Sequence, residues 1–223
     1  QKTEGLLALL HSQDRKIEEY RKTIKIYDCF IFFNELDLLE IRLNVLDKYV
    51  DYFVIVEATQ TFTGMPKKLY FKENKHLFEK WNHKIIHQII DDMPTNESDL
   101  RDSLSMDTGS IPTGQLQWLR EFYQREEIKK GLAALSDNDF CFISDVDEIW
   151  NPEIILDYRK DDVFKLRQKV CVYYLNNRSN EAWTGTVATK YGNIKNRSIN
   201  HLRKSDSIAY TYIKNGGWHF TNQ

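Results

Sequence analysis

The chain lacks any marked excess of charge of one sign, and this absence excludes some classes of protein. It has 31 Lys and Arg residues against 33 Asp and Glu residues, for a formal net charge of −2. Proteins that hold nucleic acid by its phosphates carry a basic surface, so the composition argues against a nucleic-acid partner. No apolar run approaches the roughly 18 residues of a membrane-spanning helix, and no signal peptide is visible. With 41% hydrophobic and 29% charged residues, we expect a globular rather than a disordered chain of one domain, with or without appendages.

Cysteine is also scarce. Cys29, Cys141 and Cys171 are odd in number and widely spaced, and each lies in an apolar run, which favours reduced core residues. Reduced cysteines suit a cytoplasmic protein, either free or peripheral at a membrane. Because the chain begins at Gln1 rather than Met, we expect it to be a piece of a longer polypeptide.

The most informative stretch is residues 140–149, Phe-Cys-Phe-Ile-Ser-Asp-Val-Asp-Glu-Ile. Its apolar start predicts a central strand that is buried on both faces, and three carboxylates follow where the strand should end. In extended chain Asp145 and Asp147 point to the same side, so they offer paired oxygen ligands for a divalent cation such as Mg²⁺ or Mn²⁺. The alternative is that one of these aspartates only caps the turn that leads towards Pro152.

A strand–helix–strand unit precedes this stretch. Residues 27–33 and 52–56 predict strands, and leucines at 36, 39, 43 and 46 predict one apolar face of a helix between them. Short turns on each side predict parallel pairing, so Asn34, Glu35 and Glu57 should gather at the carboxyl edge near Asp145 and Asp147. No Gly-x-Gly-x-x-Gly turn follows the first strand, which argues against a dinucleotide-binding site.

The other segments are predicted from periodicity and turn residues. We expect helices over 5–24, 74–81, 115–132 and 153–158, strands over 84–90, 169–175, 181–186 and 187–191, and a long mobile loop over 91–113.

Six segments in series carry a family resemblance: residues 27–43, 54–58 with 62–64, 68–71, 118–121 with 124–125, 143–149 and 216–220. The last two read Ile-Ser-Asp-Val-Asp-Glu-Ile and Gly-Gly-Trp-His-Phe. Together they resemble glycosyltransferase family 17.

The resemblance implies an α/β fold of the GT-A type. This is a Rossmann-like three-layer sandwich with a mostly parallel central sheet and a smaller mixed-sheet half on the acceptor side. Residues 1–24 would form a helical lead-in or linker, residues 25–150 the nucleotide-sugar-binding half, and residues 151–223 the acceptor-side half. The implied reaction is inverting transfer of a sugar, N-acetylglucosamine from UDP-GlcNAc, to a hydroxyl of a glycan or polysaccharide, with Mn²⁺ or Mg²⁺ as cofactor. The acceptor could be an N-glycan or a surface glycan of bacterial type.

Under this resemblance the Asp-x-Asp element would hold a metal ion on the donor diphosphate. Asp147 is expected to contact the metal, and Asp145 the ribose or the metal through water. His219 could add a nitrogen ligand, because the glycines before it permit close backbone approach, although a lone histidine is also often structural. Glu148 is either a further ligand or a solvated carboxylate.

The remaining site predictions each have a structural alternative. Asn34, Glu35 and Glu57 could bond the uracil or ribose, or cap turns. Two arginines, Arg120 and Arg125, could pair with the diphosphate or with nearby glutamates. Trp183 and Trp218 could stack on sugar faces or belong to the core. The general base that inversion needs could be Glu181 or Asp206, or both could be surface charges.

Two other functions remain open from the sequence. An aspartate-dependent phosphohydrolase or phosphotransferase would use a nucleophilic aspartate after a strand, but it wants a small Gly-Thr-like pair next, where this chain has Glu148-Ile149-Trp150. A non-catalytic carbohydrate-binding domain would use aromatic platforms and would not need the carboxylate cluster.

Overall fold

A computed structural model describes residues 15–104, 108, 109 and 111–221 as a mixed α/β fold. Its strands are β1 (Ile26–Phe32), β2 (Tyr52–Ala58), β3 (Ile85–Ile90), β4 (Phe140–Asp145), β5 (Glu148–Trp150), β6 (Val163–Val172), β7 (Arg178–Trp183), β8 (Val187–Lys190) and β9 (Tyr210–Thr221). Its α-helices are α1 (Leu36–Leu46), α2 (Tyr70–Glu73), α3 (Glu97–Ser103), α4 (Leu116–Glu126), α5 (Tyr191–Ile194) and α6 (Ile199–Arg203). Two 3₁₀ helices cover Lys75–Trp81 and Glu127–Leu132, and residues 15–21 are helical.

The strands form one sheet in the order β3-β2-β1-β4-β8-β6-β9-β5, with β7 paired to β6. The first four strands are parallel, which confirms the predicted strand–helix–strand unit. Beyond β4 the pairing is mixed: β8 is antiparallel to β4 and β6, whereas β9 is parallel to β6 and antiparallel to β5. The α/β class is therefore confirmed, but the continuous parallel block is limited to the first four strands, and the rest of the sheet is mixed. The C-terminal strands continue the same sheet.

Each face of the sheet carries its own apolar core, because side chains alternate along the strands. Phe30, Phe53 and Phe142 face the α1 side, where Leu39 and Leu43 are fully buried. Burying a leucine side chain of this kind stabilises the fold by roughly 1.5–3 kcal/mol.

The opposite core contains Cys29, Val54 and Cys141 packed with Leu119 of α4 and Leu202 of α6. With Cys171, all three cysteines are buried and outside disulfides, as predicted. The sheet is thus covered on both faces, which is why β1, β2 and β4 appear in the sequence as nearly continuous apolar runs.

Several predicted elements differ in the structure. No helix forms over 153–158: residues 152–153 make a turn and residues 154–157 have no regular structure. β6 begins earlier than predicted, and it ends at Val172 because Tyr173 adopts a positive φ of 65°. The expected helix over 115–132 divides into α4 and a 3₁₀ helix, and the expected helix over 74–81 is a 3₁₀ helix.

The predicted loop over 91–113 contains helix α3. Asn96 caps it by accepting a hydrogen bond from the amide of Asp99 at 2.9 Å, a local signal that the loop prediction overlooked. Residues 105–107 and 110 of that loop lie outside the described residues, as do residues 5–14 of the predicted N-terminal helix. In the described part of the chain, no helix is both long and apolar enough to cross a membrane.

Candidate active site

A cleft of about 520 Å³ opens where β1 and β4 end. Ile31 of β1 pairs with Asp145 of β4, so the carboxyl ends of these parallel strands lie side by side. The lining of the cleft includes two aromatic side chains, Phe33 and Phe62, and Lys67 Nζ lies 5.5 Å from the centroid of the Phe33 ring. The lining also includes Asp145, Asp147 and His219. A ligand that carries both a flat ring and a charged group would match these residues.

Asp145 lies between two buried arginines. Its Oδ1 accepts hydrogen bonds from Arg125 and from Arg203, each at 3.0 Å, and Arg203 also reaches its Oδ2 at 3.3 Å. Burial alone would raise the pKa of Asp145, but the two guanidinium groups hold it well below its usual range. Asp145 is therefore a fixed anion, and its side chain keeps 30% of its surface exposed towards the cleft.

Glu148 is the buried member of the acidic stretch, with no exposed surface. Arg203 contacts both of its carboxylate oxygens, at 2.9 and 3.1 Å, while Trp183 and Thr186 donate hydrogen bonds to it. Burial raises the pKa of Glu148, although the positive charge of Arg203 acts to lower it. With its oxygens used inside the protein, Glu148 shapes the site from beneath and does not line the cleft.

Asp147 and His219 lie side by side in the lining of the cleft. β5 and β9 are antiparallel neighbours, and the backbone amide of Phe220 donates to the carbonyl of Asp147 at 2.9 Å. This pairing brings His219 Nε2 to 3.4 Å from Asp147 Oδ2. The imidazole also stacks on Trp183, with ring centroids 4.8 Å apart. Burial would lower the pKa of His219, but Asp147 raises it overall, with help from the other nearby carboxylates.

The arrangement of Asp147 and His219 can be compared with the predicted metal site. In the described part of the chain, no group of three or more His, Cys, Asp or Glu side chains is arranged to hold a metal ion. Among those same residues, His219 is the one side-chain partner of the Asp147 carboxylate, and His219 Nδ1 is buried without a hydrogen-bond partner. Magnesium-type ions commonly take only one or two protein carboxylates and complete their shell with water and substrate phosphate. Asp147 and His219 would thus supply two protein ligands, and an ion held by them would need water and a phosphate ligand to complete its coordination.

The predicted nucleoside contacts have different environments. Asn34 is exposed, and the Glu35 carboxylate borders the cleft while accepting the backbone amides of Phe33 and Asn34 at 3.2 and 2.9 Å. Glu57 is fully buried: it accepts the amide of Phe71 at 3.0 Å and contacts the His87 ring at 3.0 Å. Glu57 therefore supports the fold outside the cleft lining.

The two predicted arginines also differ. Arg125 borders the cleft, but its Nη atoms already bond Asn200, Glu121 and Asp145 at 3.0, 2.7 and 3.0 Å. Burial would lower its pKa, but Asp145 and Glu121 raise it overall. Arg120 lies outside the cleft lining and donates to the carbonyl of Phe62 at 3.2 Å.

The four remaining predicted residues are not among those that line the cleft, although one of them, Trp183, stacks on the cleft residue His219. Trp218 is partly buried against the core on the α1 side, the structural alternative stated for it. Glu181 is exposed on β7, and Asp206 is exposed in the turn before β9. The structure does not bring these two carboxylates to the cleft.

Three residues that sequence reasoning did not single out belong to the site. Arg203 joins Asp145 to Glu148, and nothing in the residues around it indicates an ion pair with a strand so distant in sequence. Lys67 borders the cleft with its side chain 5% exposed, its Nζ lying 3.6 Å from Glu57 and 3.3 Å from the carbonyl of Phe33. Burial lowers the pKa of Lys67 despite Glu57. Arg42 is fully buried behind the acidic turn, and its place among the apolar residues of α1 was the available signal.

A larger cavity of about 650 Å³ lies elsewhere, lined by residues that include Asp162, Arg197 and His201. It contains none of the predicted site residues and does not lie at the carboxyl edge of the parallel strands. The smaller cleft is therefore the candidate active site.

The layered fold and the acidic cleft define an α/β protein whose candidate ligand site lies outside the carboxyl ends of its parallel strands. A sequence profile for glycosyltransferase family 17 matches residues 7–222, so the chain belongs to glycosyltransferase family 17. The resemblance found in the sequence is thereby confirmed.

The chain is also similar to curated relatives named beta-1,4-mannosyl-glycoprotein 4-beta-N-acetylglucosaminyltransferase from Homo sapiens, Rattus norvegicus and Mus musculus. Each is 30% identical over 120 residues, which is 52% of this chain and 20% of the relative. The match thus spans about one fifth of the length of these curated relatives.

Proposed function

We propose that this chain is a metal-dependent inverting glycosyltransferase with a GT-A-type donor site. It would transfer N-acetylglucosamine from UDP-GlcNAc to a hydroxyl of a glycan or polysaccharide, with Mn²⁺ or Mg²⁺ as cofactor. Membership of glycosyltransferase family 17 supports sugar transfer, and the names of the relatives support N-acetylglucosamine as the sugar. A cytoplasmic or membrane-peripheral location stays a prediction.

The observation that carries the proposal is the different environment of the two aspartates. Asp145 is held by two arginines, whereas the Asp147 carboxylate faces the cleft beside His219. We assign Asp147, with His219, to the metal ion, and the donor diphosphate and water would complete its coordination. When bound, the ion would supply Lewis acidity that stabilises charge developing on the departing diphosphate.

Asp145 has a different role in this proposal. Its Oδ2 keeps free acceptor capacity, and Arg125 and Arg203 keep the group ionised. We therefore assign it to a ribose hydroxyl, as an acceptor whose position is fixed in advance. Arg125 acts through Asp145, because its Nη atoms are already bonded within the protein.

The aromatic residues of the cleft suit the nucleobase. Phe33 is 40% exposed and lines the cleft with Phe62, so a flat uracil ring can lie against an aromatic surface there. Gln60 and Thr61 offer polar groups beside it. Glu181 and Asp206 stay predictions for the general base, with no support from the cleft lining.

The cleft gives less support to an aspartate-dependent phosphohydrolase. That chemistry uses the aspartate at the end of the strand as a nucleophile, and the carboxylate at that position, Asp145, is ion-paired with both Arg125 and Arg203, which lowers its nucleophilicity. A non-catalytic carbohydrate-binding domain would not need the acidic residues that line the cleft.

The test is thermal unfolding with UDP, with Mn²⁺, and with both. A ligand at one hundred times its dissociation constant stabilises the native state by about 2.7 kcal/mol. For a chain of this size that corresponds to a rise in melting temperature of about 5–10 °C. We expect this rise only when UDP and Mn²⁺ are both present, and we expect Mn²⁺-dependent hydrolysis of UDP-GlcNAc in a screen of nucleotide sugars.

Asp147→Asn should abolish both effects. Asp92→Asn is the matched control, because Asp92 is 64% exposed and lies outside the cleft. If Asp147→Asn retained both the shift and the hydrolysis, the site assignment would be wrong. If UDP shifted the wild-type melting temperature equally without metal, the metal dependence would be refuted.

A further inference from the structure

Arg42 of α1 lies directly behind the turn that carries Asp145 and Asp147. Its Nη1 donates to the backbone carbonyls of Asp145, Val146 and Glu148, at 3.0, 3.1 and 2.9 Å. Three carbonyls from a four-residue turn thus converge on one nitrogen. Arg42 has no exposed surface and does not line the cleft.

The guanidinium is itself held in place from β1. Asp28, also fully buried, accepts from Nε and Nη2 of Arg42 at 2.7 Å each, and Trp150 donates to Asp28 at 3.1 Å. Nη2 donates further to Ser144 Oγ at 2.6 Å. The planar guanidinium directs five N–H donors at these six acceptors, with the two hydrogens of Nη1 shared among the three carbonyls, whereas a lysine ammonium has only three donors.

The convergence of carbonyls has a physical consequence. Three carbonyl dipoles that point at one place repel one another, and buried carbonyls without donors are unfavourable. A cation at that place removes both penalties, so the turn conformation depends on the guanidinium. That conformation sets the direction in which the side chains of Asp145 and Asp147 leave the backbone.

We propose that Arg42, oriented by Asp28, is a positioning residue that holds the Asp145–Glu148 turn in the geometry needed to bind a divalent cation with a nucleoside diphosphate. This inference rests on the proposed function. Stability of the fold alone is a weaker explanation for the Arg42–Asp28 ion pair, because an apolar pair of similar volume often stabilises a protein as much as a buried ion pair does.

The test uses Arg42→Lys, which keeps the positive charge but leaves some of the turn carbonyls without donors. Leu46→Ala is the matched control: Leu46 lies one turn further along α1, is fully buried in the same core, and makes no hydrogen bond to the acidic turn. Both variants weaken α1 packing, but only the first alters the turn. If Arg42→Lys fails to fold, Asp28→Asn is used as the test variant in its place, because it removes the charge that orients Arg42.

Two quantities are measured on the whole chain. The first is the affinity for UDP in the presence of Mn²⁺, by calorimetry. We expect Arg42→Lys to lose about 10–100-fold, the usual effect of altering a group that orients a metal ligand, and Leu46→Ala to stay within about twofold of the wild type. The second is amide hydrogen exchange over residues 144–150, which should accelerate in Arg42→Lys and not in Leu46→Ala.

The outcomes separate the inference from the proposed function. A folded Arg42→Lys variant with wild-type affinity, or with wild-type exchange in the turn, overturns the role of Arg42. An equal loss of affinity in Leu46→Ala also overturns it, because general destabilisation would then explain the effect. If the wild type binds no UDP with Mn²⁺, the proposed function fails. The exchange measurement then decides alone whether Arg42 holds the turn.

Discussion

Replacing Arg203 with methionine should destabilise the protein mainly by leaving Glu148 without its cation. Arg203 is 2% exposed and contacts both oxygens of Glu148, which has no exposed surface. Asp145, its other partner, keeps the ion pair with Arg125 and remains partly exposed. The uncompensated charge is therefore concentrated on Glu148.

The expected loss in unfolding free energy is about 3–5 kcal/mol, the usual result of removing one partner of a buried ion pair. For a chain of this length it corresponds to a fall in melting temperature of about 6–20 °C. Methionine suits the position because it is unbranched and favours helix about as well as arginine.

A thermodynamic cycle tests the cause. Glu148→Gln removes the charge and keeps an oxygen that can accept from Trp183 and an amide that can reach Thr186. We expect the double variant Arg203→Met/Glu148→Gln to be more stable than Arg203→Met alone, with a coupling energy of about 2–3 kcal/mol from urea unfolding. Losses that add to within about 0.5 kcal/mol would refute the argument, because the arginine would then act through packing and not through the charge of Glu148.

Two further predictions concern residues outside this network. Gly64 has φ +87°, and a Cβ there would lie 2.8 Å from Arg120 Cζ, whereas Gly114 has φ +86° with open space around it. Alanine at either position should destabilise the fold by about 1–2 kcal/mol in urea unfolding. Only Gly64→Ala should also weaken UDP binding, because it displaces Arg120, whose hydrogen bond holds the backbone of the cleft residue Phe62; equal binding by both variants would contradict this. Burial raises the pKa of Tyr158, which packs edge-on against Phe140, to about 12 from an ordinary value of about 10. Its neutral hydroxyl thus contributes stability that is complete below pH 10 and is lost as the pH rises to about 12. The urea midpoint of Tyr158→Phe should therefore fall less between pH 9.5 and 11 than that of the wild type. Equal falls in the two proteins would contradict the raised pKa of Tyr158.

Much of the fold was predictable because it depends on local pattern. The apolar runs of β1, β2 and β4 and the leucine spacing of α1 predict elements whose bounds the structure reproduces to within a few residues. The failures also have local causes. The helix expected over 153–158 has no regular structure, and the Asn96 cap of α3 was overlooked within a polar loop.

The candidate site was predictable where strand ends alone place a residue. Asp145 and Asp147 follow the apolar run of β4, and Glu35 follows β1, so parallel pairing brings all three to one cleft. Glu57 lies near the end of β2, but its side chain is fully buried, and the sequence does not show whether a side chain at this position faces the cleft or the core. Glu181 lies on β7, which pairs with β6, and it is not among the residues that line the cleft, which no local pattern reveals.

The sequence by itself determined the alternation of strands and helices in the first half, the burial of the sheet on both faces, and the position of two aspartates at the edge of a parallel sheet. Side-chain periodicity and strand length require no knowledge of distant segments. Only the tertiary structure decided that Asp145 is held by Arg125 and Arg203 while Asp147 faces the cleft with His219. The reason is that the charge state and contacts of a carboxylate depend on which groups the packing of α4, α6 and β9 brings within a few ångströms, and those groups come from remote parts of the chain.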